Sequence, residues 1–333
     1  MLKILTELDG VSGNEKAVRD IIFAEVSSLC SETKIDSMGN LICFKKGRKG
    51  GKTVLLSAHM DEVGFIITKI TDEGFLKFET VGGVDAKILL SQIVRKGDLK
   101  GIISLKAVHL LTKEEREKAF SESELFIDIG ARSKDEAEKL ISVGDYFAFD
   151  SEYISQGDMI KAKALDDRVG CAVLIDDLKK EWDADLICTF VTQEEVGLRG
   201  AKAAVYGLKP DFAIVVEGTS CNNMPNIPEE KRVTDFGGGV AVSIMDMGSV
   251  ANRDLVSKII AIADENKINW QYKASVKGGN DAGAISISEG GIKTASLSVP
   301  CKYIHSGVSA MNKNDYLSCK ELIEKIIENA EEI

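Results

Sequence analysis

Thr189-Phe-Val-Thr-Gln-Glu-Glu-Val-Gly-Leu-Arg-Gly200 decides the fold: an apolar run ends abruptly in two adjacent carboxylates, Glu194 and Glu195, and then glycine. The segment from Asp185 to Thr192 is short and continuously apolar, as a strand buried on both faces of a parallel sheet must be. The two acids then fall just past the C-terminal end of a strand, where ligands bind in open α/β sheets. Adjacent carboxylates repel each other and are costly to bury, so the placement calls for a cation or for solvent. A metal on one acid, with the other facing substrate as general base, resolves the conflict, and a solvated acidic loop is the ordinary alternative.

The same pattern recurs along the chain. Thr53–Ala58 runs into His59, Met159–Ala164 into Asp166, Phe212–Val216 into Glu217, and Thr294–Val299 through Pro300 into His305. Strands alternating with helices imply an α/β fold, a mostly parallel sheet flanked by helices. In such a sheet His59, Asp166, Glu194, Glu195, Glu217 and His305 converge on one edge. Imidazole and carboxylate together suit zinc or cobalt, and two histidines with several acids exceed the needs of one tetrahedral zinc. They suit a two-metal site with one bridging carboxylate. Asp61, two residues past His59, is placed to accept its second ring proton. Of the three histidines, His109 lies in the apolar run Ala107–Leu111 and reads as structural.

At 333 residues the chain exceeds the usual single-domain size, and its 44% hydrophobic content is ample for a core. Between 69 and 157 the texture changes to short β-type runs punctuated by Gly82, Gly83, Gly97 and Gly101, a small β-rich domain inserted between 1–68 and 158–333, which form the α/β unit. Ser12-Gly-Asn-Glu15 has the spacing of a capping box opening the second of two N-terminal helices, and Ser133-Lys-Asp-Glu136 that of a helix over Lys134–Ile141. The formal charge of -11 argues against nucleic acid or anionic membrane as a partner. Seven scattered cysteines form no close pair that would clamp zinc, and they read as reduced and buried. No apolar stretch approaches spanning length, and Glu7 and Asp9 speak against a signal peptide, so a cytoplasmic location is expected.

Ser57-Ala-His-Met-Asp-Glu-Val-Gly64, Lys163-Ala-Leu-Asp-Asp-Arg-Val-Gly170, Thr192-Gln-Glu-Glu-Val-Gly197, Gly279-Asn-Asp-Ala282 and Pro300–Ser306 stand in an order that resembles the tetrahedral aminopeptidases, dinuclear metallopeptidases that include glutamyl and deblocking aminopeptidases. Gly82-Gly-Val-Asp85 and Phe126–Arg132 extend the match into the insertion. The resemblance implies that His59, Asp166 and Glu217 hold one metal and Asp166, Glu195 and His305 the other, with Glu194 as general base and Asp61 orienting His59. It implies an aminopeptidase removing N-terminal residues from short peptides by attack of a metal-bridging hydroxide, with two divalent ions, zinc or cobalt. It further implies that 69–157 is a β-barrel-like dimerisation domain and that dimers build a hollow tetrahedral dodecamer. Three departures accompany it. Glu217 stands where the family usually has aspartate, Asn280 where threonine precedes Asp281, and Gly307 and Ser309 follow in place of a proline and a glutamate. An aminoacylase or carboxypeptidase on the same scaffold and a catalytically silent peptide-binding scaffold are the rivals. The QEEVG and LDDRVG strings favour the aminopeptidase.

Overall fold

The apolar runs form strands Asp185–Val191, Thr53–His59, Phe212–Ser220 and Thr294–Lys302, which lie side by side in that order and all in parallel. They are the centre of an eleven-stranded sheet in the computed structural model, which describes residues 1–110, 112–113 and 120–333. Antiparallel strands flank this centre. Leu41–Lys45 and Glu32–Ile35 extend it on one side, and Ser309–Asn312, Met159–Ala162 and Ile154–Gln156 on the other. Two antiparallel steps restore direction, so Met159–Ala162 ends on the same edge as the four central strands.

Both faces of the sheet are covered, as its continuously apolar strands require. Helix Leu165–Leu178 crosses the centre and is buried on nearly every side. Lys313–Glu328 packs beside it and Arg253–Glu265 beside Lys313–Glu328, with one apolar face each. All seven cysteines are free, and all but Cys30 are buried. No helix among the described residues is long and apolar enough to cross a membrane.

The insertion is a closed six-stranded barrel in the order Gly64–Ile70, Leu76–Val81, Phe126–Asp128, Leu99–Ser104, Ile93–Lys96 and Tyr146–Phe149. Closure removes exposed edges, and the alternating side chains of Phe65, Ile67, Phe78, Ile103, Ile127 and Phe147 fill the inside. The barrel strands span Gly64 to Phe149, rather than beginning at 69 and running to 157. Gly64 follows the His59 loop directly, while Ile154–Gln156 turns back to pair with Met159–Lys161 in the large sheet.

Other local expectations are corrected. Ser12 and Glu15 form no capping box: Glu15 precedes helix Lys16–Val26 without a side-chain cap bond, because both side chains are drawn to the strand-end loops. Ser133 does cap its helix, which ends at Ala137 because the chain turns there toward Ile141 and the barrel. Residue Glu217 lies within its strand, not beyond it. His109 sits exposed in a short 3₁₀ turn, Val108–Leu110, and is not packed; Leu111 of the same run lies outside the described residues.

One core residue is out of keeping with its surroundings. Asp177, on the buried crossing helix, has no exposed surface, and neither carboxylate oxygen has a hydrogen-bond partner. Burial pushes its pKa well above the usual carboxylate range. A carboxyl with a raised folded-state pKa costs stability increasingly as pH climbs above its unfolded value. Asp177→Leu, of similar shape, should therefore raise unfolding stability by about 1–3 kcal/mol at pH 7, with a larger gain at pH 8 than at pH 5. Urea unfolding at the three pH values checks this, and a loss of stability would contradict it.

Candidate active site

Parallel strands bring the predicted residues to one edge because equivalent positions align in register. His59 ends its strand opposite Val191, and Glu217 lies opposite Ser298. Asp166 is positioned by the turn into helix Leu165–Leu178, where it and Asp167 leave helical geometry. Asp167 turns the other way, accepting from the His59 and Gly170 backbone N–H groups.

Asp166 lies between the two histidines. Its Oδ1 is 3.3 Å from His59 Nε2 and its Oδ2 is 3.6 Å from His305 Nε2. Glu195 Oε2 approaches His305 Nε2 to 3.2 Å. Two groups of ligand atoms result, His59 with Glu194 and Glu195, and Asp166 with Glu195 and His305, the atoms of each within 4.8 Å of one another. Glu217 joins neither group. Its Oε1 accepts from Asn280 Nδ2 at 2.8 Å and Ser298 Oγ at 3.0 Å, with Lys273 Nζ at 4.0 Å. The first and second departures from the family pattern thus touch each other: Asn280 carries the donor that fixes the longer Glu217.

The ring nitrogens turned away from the cluster are also held. His59 Nδ1 lies 3.2 Å from the Asp61 main-chain carbonyl and 3.5 Å from its carboxylate Oδ1, so Asp61 does face this histidine, chiefly through its backbone. The Asp61 carboxylate itself accepts from the Glu194 and Glu195 N–H groups and from Ser12 Oγ. His305 Nδ1 lies 3.0 Å from the Gly83 carbonyl, which belongs to the loop after a barrel strand. At Gly307 a Cβ would meet Gln92 and Phe149 of the barrel at 2.9 Å, so the third departure suits a tight approach of barrel to site. Ser12, Glu15, Asn280 and Gly83 were not predicted as site residues. Only the capping-box spacing singled out Ser12 and Glu15, and it suggested another use.

Burial dominates the electrostatics. It raises Glu194 to about 10, with Asp281, Glu195 and Asp166 adding to the effect against His59. It also raises Glu195 and Glu217 to about 7, opposed by His305 and Lys273 respectively. Burial would depress both imidazoles, but the neighbouring carboxylates outweigh it, holding His59 well above its usual value and His305 at about 9. Asp166 is driven the other way: burial opposes its ionisation, yet hydrogen bonds from His305 and His59 hold it below the carboxylate range. The acids are raised toward their neutral forms and the imidazoles held protonated, so the site carries protons that divalent cations would replace, and its mixed nitrogen and oxygen donors suit such ions. A cavity of about 1160 Å³ opens onto the cluster, walled by Lys273, Lys277, Tyr303 and Val308 of the large unit and by Ile88 and Gln92 of the barrel.

A sheet edge that gathers two imidazoles and several carboxylates beneath an open cavity is the arrangement of a metal-dependent hydrolase. The M42 glutamyl aminopeptidase family model matches residues 39–322, and the chain belongs to that family. The lysyl aminopeptidase of Pyrococcus furiosus is 30% identical over 98% of this chain and 96% of its own. An aminopeptidase of Desulfurococcus kamchatkensis is 36% identical over 98% of this chain and 93% of that one, with a TM-score of 0.92. The Pyrococcus horikoshii TET1 peptidase, which can assemble into a tetrahedron or a large octahedral shell, is 35% identical over 98% of each chain, with a TM-score of 0.86. Membership makes this chain a metal-dependent aminopeptidase, a hydrolase of peptide bonds.

The titrations set a pH dependence. Glu195 and Glu217, with folded pKa values raised to about 7, lose stability for the metal-stripped protein as pH rises from the ordinary carboxylate range to about 7. His305 contributes stability that is complete below its usual 6.5 and lost as pH rises through about 9. Both effects have the same sign, so the site's contribution to the stripped protein falls between pH 5 and 9. At one fixed concentration an added divalent ion such as zinc should stabilise more at pH 8 than at pH 6, because protons leave the groups that would hold it and its dissociation constant falls; a concentration a hundred times that constant at pH 8 gives about 2.7 kcal/mol in total. Thermal unfolding with and without zinc measures this, and equal zinc stabilisation at both pH values would contradict it.

Proposed function

We propose that two divalent ions, zinc or cobalt, work at this edge, with His59, Asp166 and Glu217 around one and Asp166, Glu195 and His305 around the other. The observation that carries the reading is Asp166, whose two carboxylate oxygens each face a different histidine. When bound, the ions supply an acidified water, a polarised substrate carbonyl and positive charge that favours ionised Glu194. The chain's own residues do the rest. Glu194 receives a proton at its carboxylate and returns it to the departing amine, as a general base that becomes a general acid. His59 is kept in orientation by Asp61, and His305 by the Gly83 carbonyl, so the faces they present to Asp166 are constant. Asn280 and Ser298 hold Glu217 by its Oε1 in the cavity wall, outside the two ligand groups, so it would complete the first ion's set through its other oxygen. The surplus of carboxylates attracts the free amino terminus of a short peptide, which favours removal of first residues over internal cleavage.

The barrel serves dimerisation in this reading, and dimers build a tetrahedral dodecamer within the cytoplasm. Support comes from the relatives: the Pyrococcus horikoshii TET1 peptidase, similar along nearly all of its length, can assemble into a tetrahedron or a large octahedral shell, and a twelve-subunit form of PhTET1 is known.

Two experiments test the proposal. Purified protein is assayed with zinc, cobalt or no metal on a panel of aminoacyl anilides with free and acetylated amino groups. Hydrolysis should require metal and a free amine, and Glu194→Gln should lower kcat by about 10²–10⁴-fold with both metals still bound. Turnover of acetylated substrates alone would favour the acylase reading, and full activity of Glu194→Gln would remove Glu194 as base. Light scattering after size exclusion should give a twelve-subunit particle, and a monomer would contradict the assembly.

A further inference from the structure

The loop that carries Glu194 and Glu195 is held in an unusual way. Four consecutive main-chain N–H groups are received by side chains from three other segments. Thr192 N donates to Asn40 Oδ1 at 2.8 Å, and Gln193 N to Glu15 Oε1 at 3.1 Å. Glu194 N donates to Asp61 Oδ1 at 3.0 Å and Glu195 N to Asp61 Oδ2 at 3.1 Å. The loop needs such restraint, because Gln193 has φ of 56°, a left-handed conformation that a residue with a side chain adopts only when its surroundings impose it.

Asn40 sits just before the flanking strand Leu41–Lys45 and Asp61 just past the central strand Thr53–His59, so both are fixed by the sheet. Glu15 is different. It comes from the N-terminal segment, is only 5% exposed, and makes no cap bond to the helix it precedes. The same oxygen accepts from Gly13 N at 2.7 Å, so the short loop before the helix and the catalytic loop close on one carboxylate. Ser12, three residues earlier, donates to Asp61 Oδ2 at 2.6 Å. Two residues spaced as a capping box thus both reach the strand-end loops.

We infer that Glu15 is a positioning residue of the reaction: by receiving the Gln193 N–H beside the two bonds made by Asp61, it fixes the left-handed turn that aims the Glu194 carboxylate. The inference rests on the reading of Glu194 as general base. Glu15 neither lines the cavity nor belongs to the ligand groups, so its effect on turnover passes through the loop. Loss of its acceptor leaves Gln193 free to relax from positive φ, and a displacement of about 1 Å at a reacting group is enough to cost on the order of a hundredfold in rate.

The zinc-loaded full-length enzyme tests this with Glu15→Ala and Glu15→Gln, in the wild type and with Glu194→Asp. Amide hydrogen exchange in a peptide spanning 190–198 should be at least about tenfold faster in Glu15→Ala and near wild type in Glu15→Gln, whose amide oxygen still accepts. In Glu15→Ala kcat should fall about tenfold or more, with KM within about twofold and zinc content unchanged, and Glu15→Gln should restore it. With Glu194→Asp, whose carboxylate is already displaced, Glu15→Ala should cost less than about threefold, as residues acting as a unit are not additive. Unchanged loop exchange and kcat in Glu15→Ala, or an equal loss in both backgrounds, overturns the inference. If Glu15→Ala does not fold, Glu15→Asp, too short to reach Gln193, should show the same exchange and kcat losses, and wild-type values for both overturn it. Full activity of Glu194→Gln removes the base assignment, while loop exchange still reports on Glu15.

Discussion

Asp166 shared between His59 and His305 is the contact on which the rest of the site depends. Each of its oxygens is committed to a different imidazole, so one carboxylate fixes the separation of the two histidines and the place of every group around them. Its neighbours Glu194, Glu195 and Glu217 are pushed up by burial, and the proton uptake that follows marks charge that protein groups alone do not neutralise. A family that works with metals provides the missing positive charge. The acids that burial makes costly are among the groups that could hold a divalent cation.

Holding this much charge together requires a stiff frame. The four parallel strands supply it, since their register leaves no freedom along the edge. Behind the edge lies a second, fully paired set of charges. Lys163 Nζ bonds both oxygens of Glu62 and the Leu8 carbonyl, while Arg168 reaches Glu62 and the carbonyls of Met60 and Leu5. Both cations flank Asp166 in the chain, and Glu62 adjoins Asp61. The N-terminal helix Leu2–Glu7 is thereby strapped to the site from behind, which explains how Ser12 and Glu15 come to lie against the loops that bear Asp61 and Glu194. Buried pairs of this kind are weak evidence for stability, but breaking one side of the network leaves an unpaired charge and is severe.

The barrel is also part of the site's frame. Its Gly83 carbonyl faces His305, its Ile88 and Gln92 line the cavity, and Gly307 gives it room to approach. A module expected to serve assembly therefore meets the reaction centre directly. This arrangement joins the shape of the substrate cavity to the placement of the barrel.

The sequence by itself determined the parallel centre of the sheet and the convergence of its polar residues. Continuously apolar runs can be buried only on both faces, and polar residues at their C-terminal ends share an edge whatever the helices between them do. It marked His59, Asp166, Glu194, Glu195, Glu217 and His305, because their types and positions are local facts. Tertiary structure decided which atoms meet. Ser12 and Glu15 have a local pattern that satisfies a capping box, yet partners far along the chain, Asp61 and Gln193, compete for the same side chains and win because their buried donors and acceptors must be paired. The pairing of Asn280 with Glu217, the carbonyl of Gly83 behind His305 and the start of the barrel at Gly64 rest in the same way on contacts between distant segments, for which the sequence carries no local period.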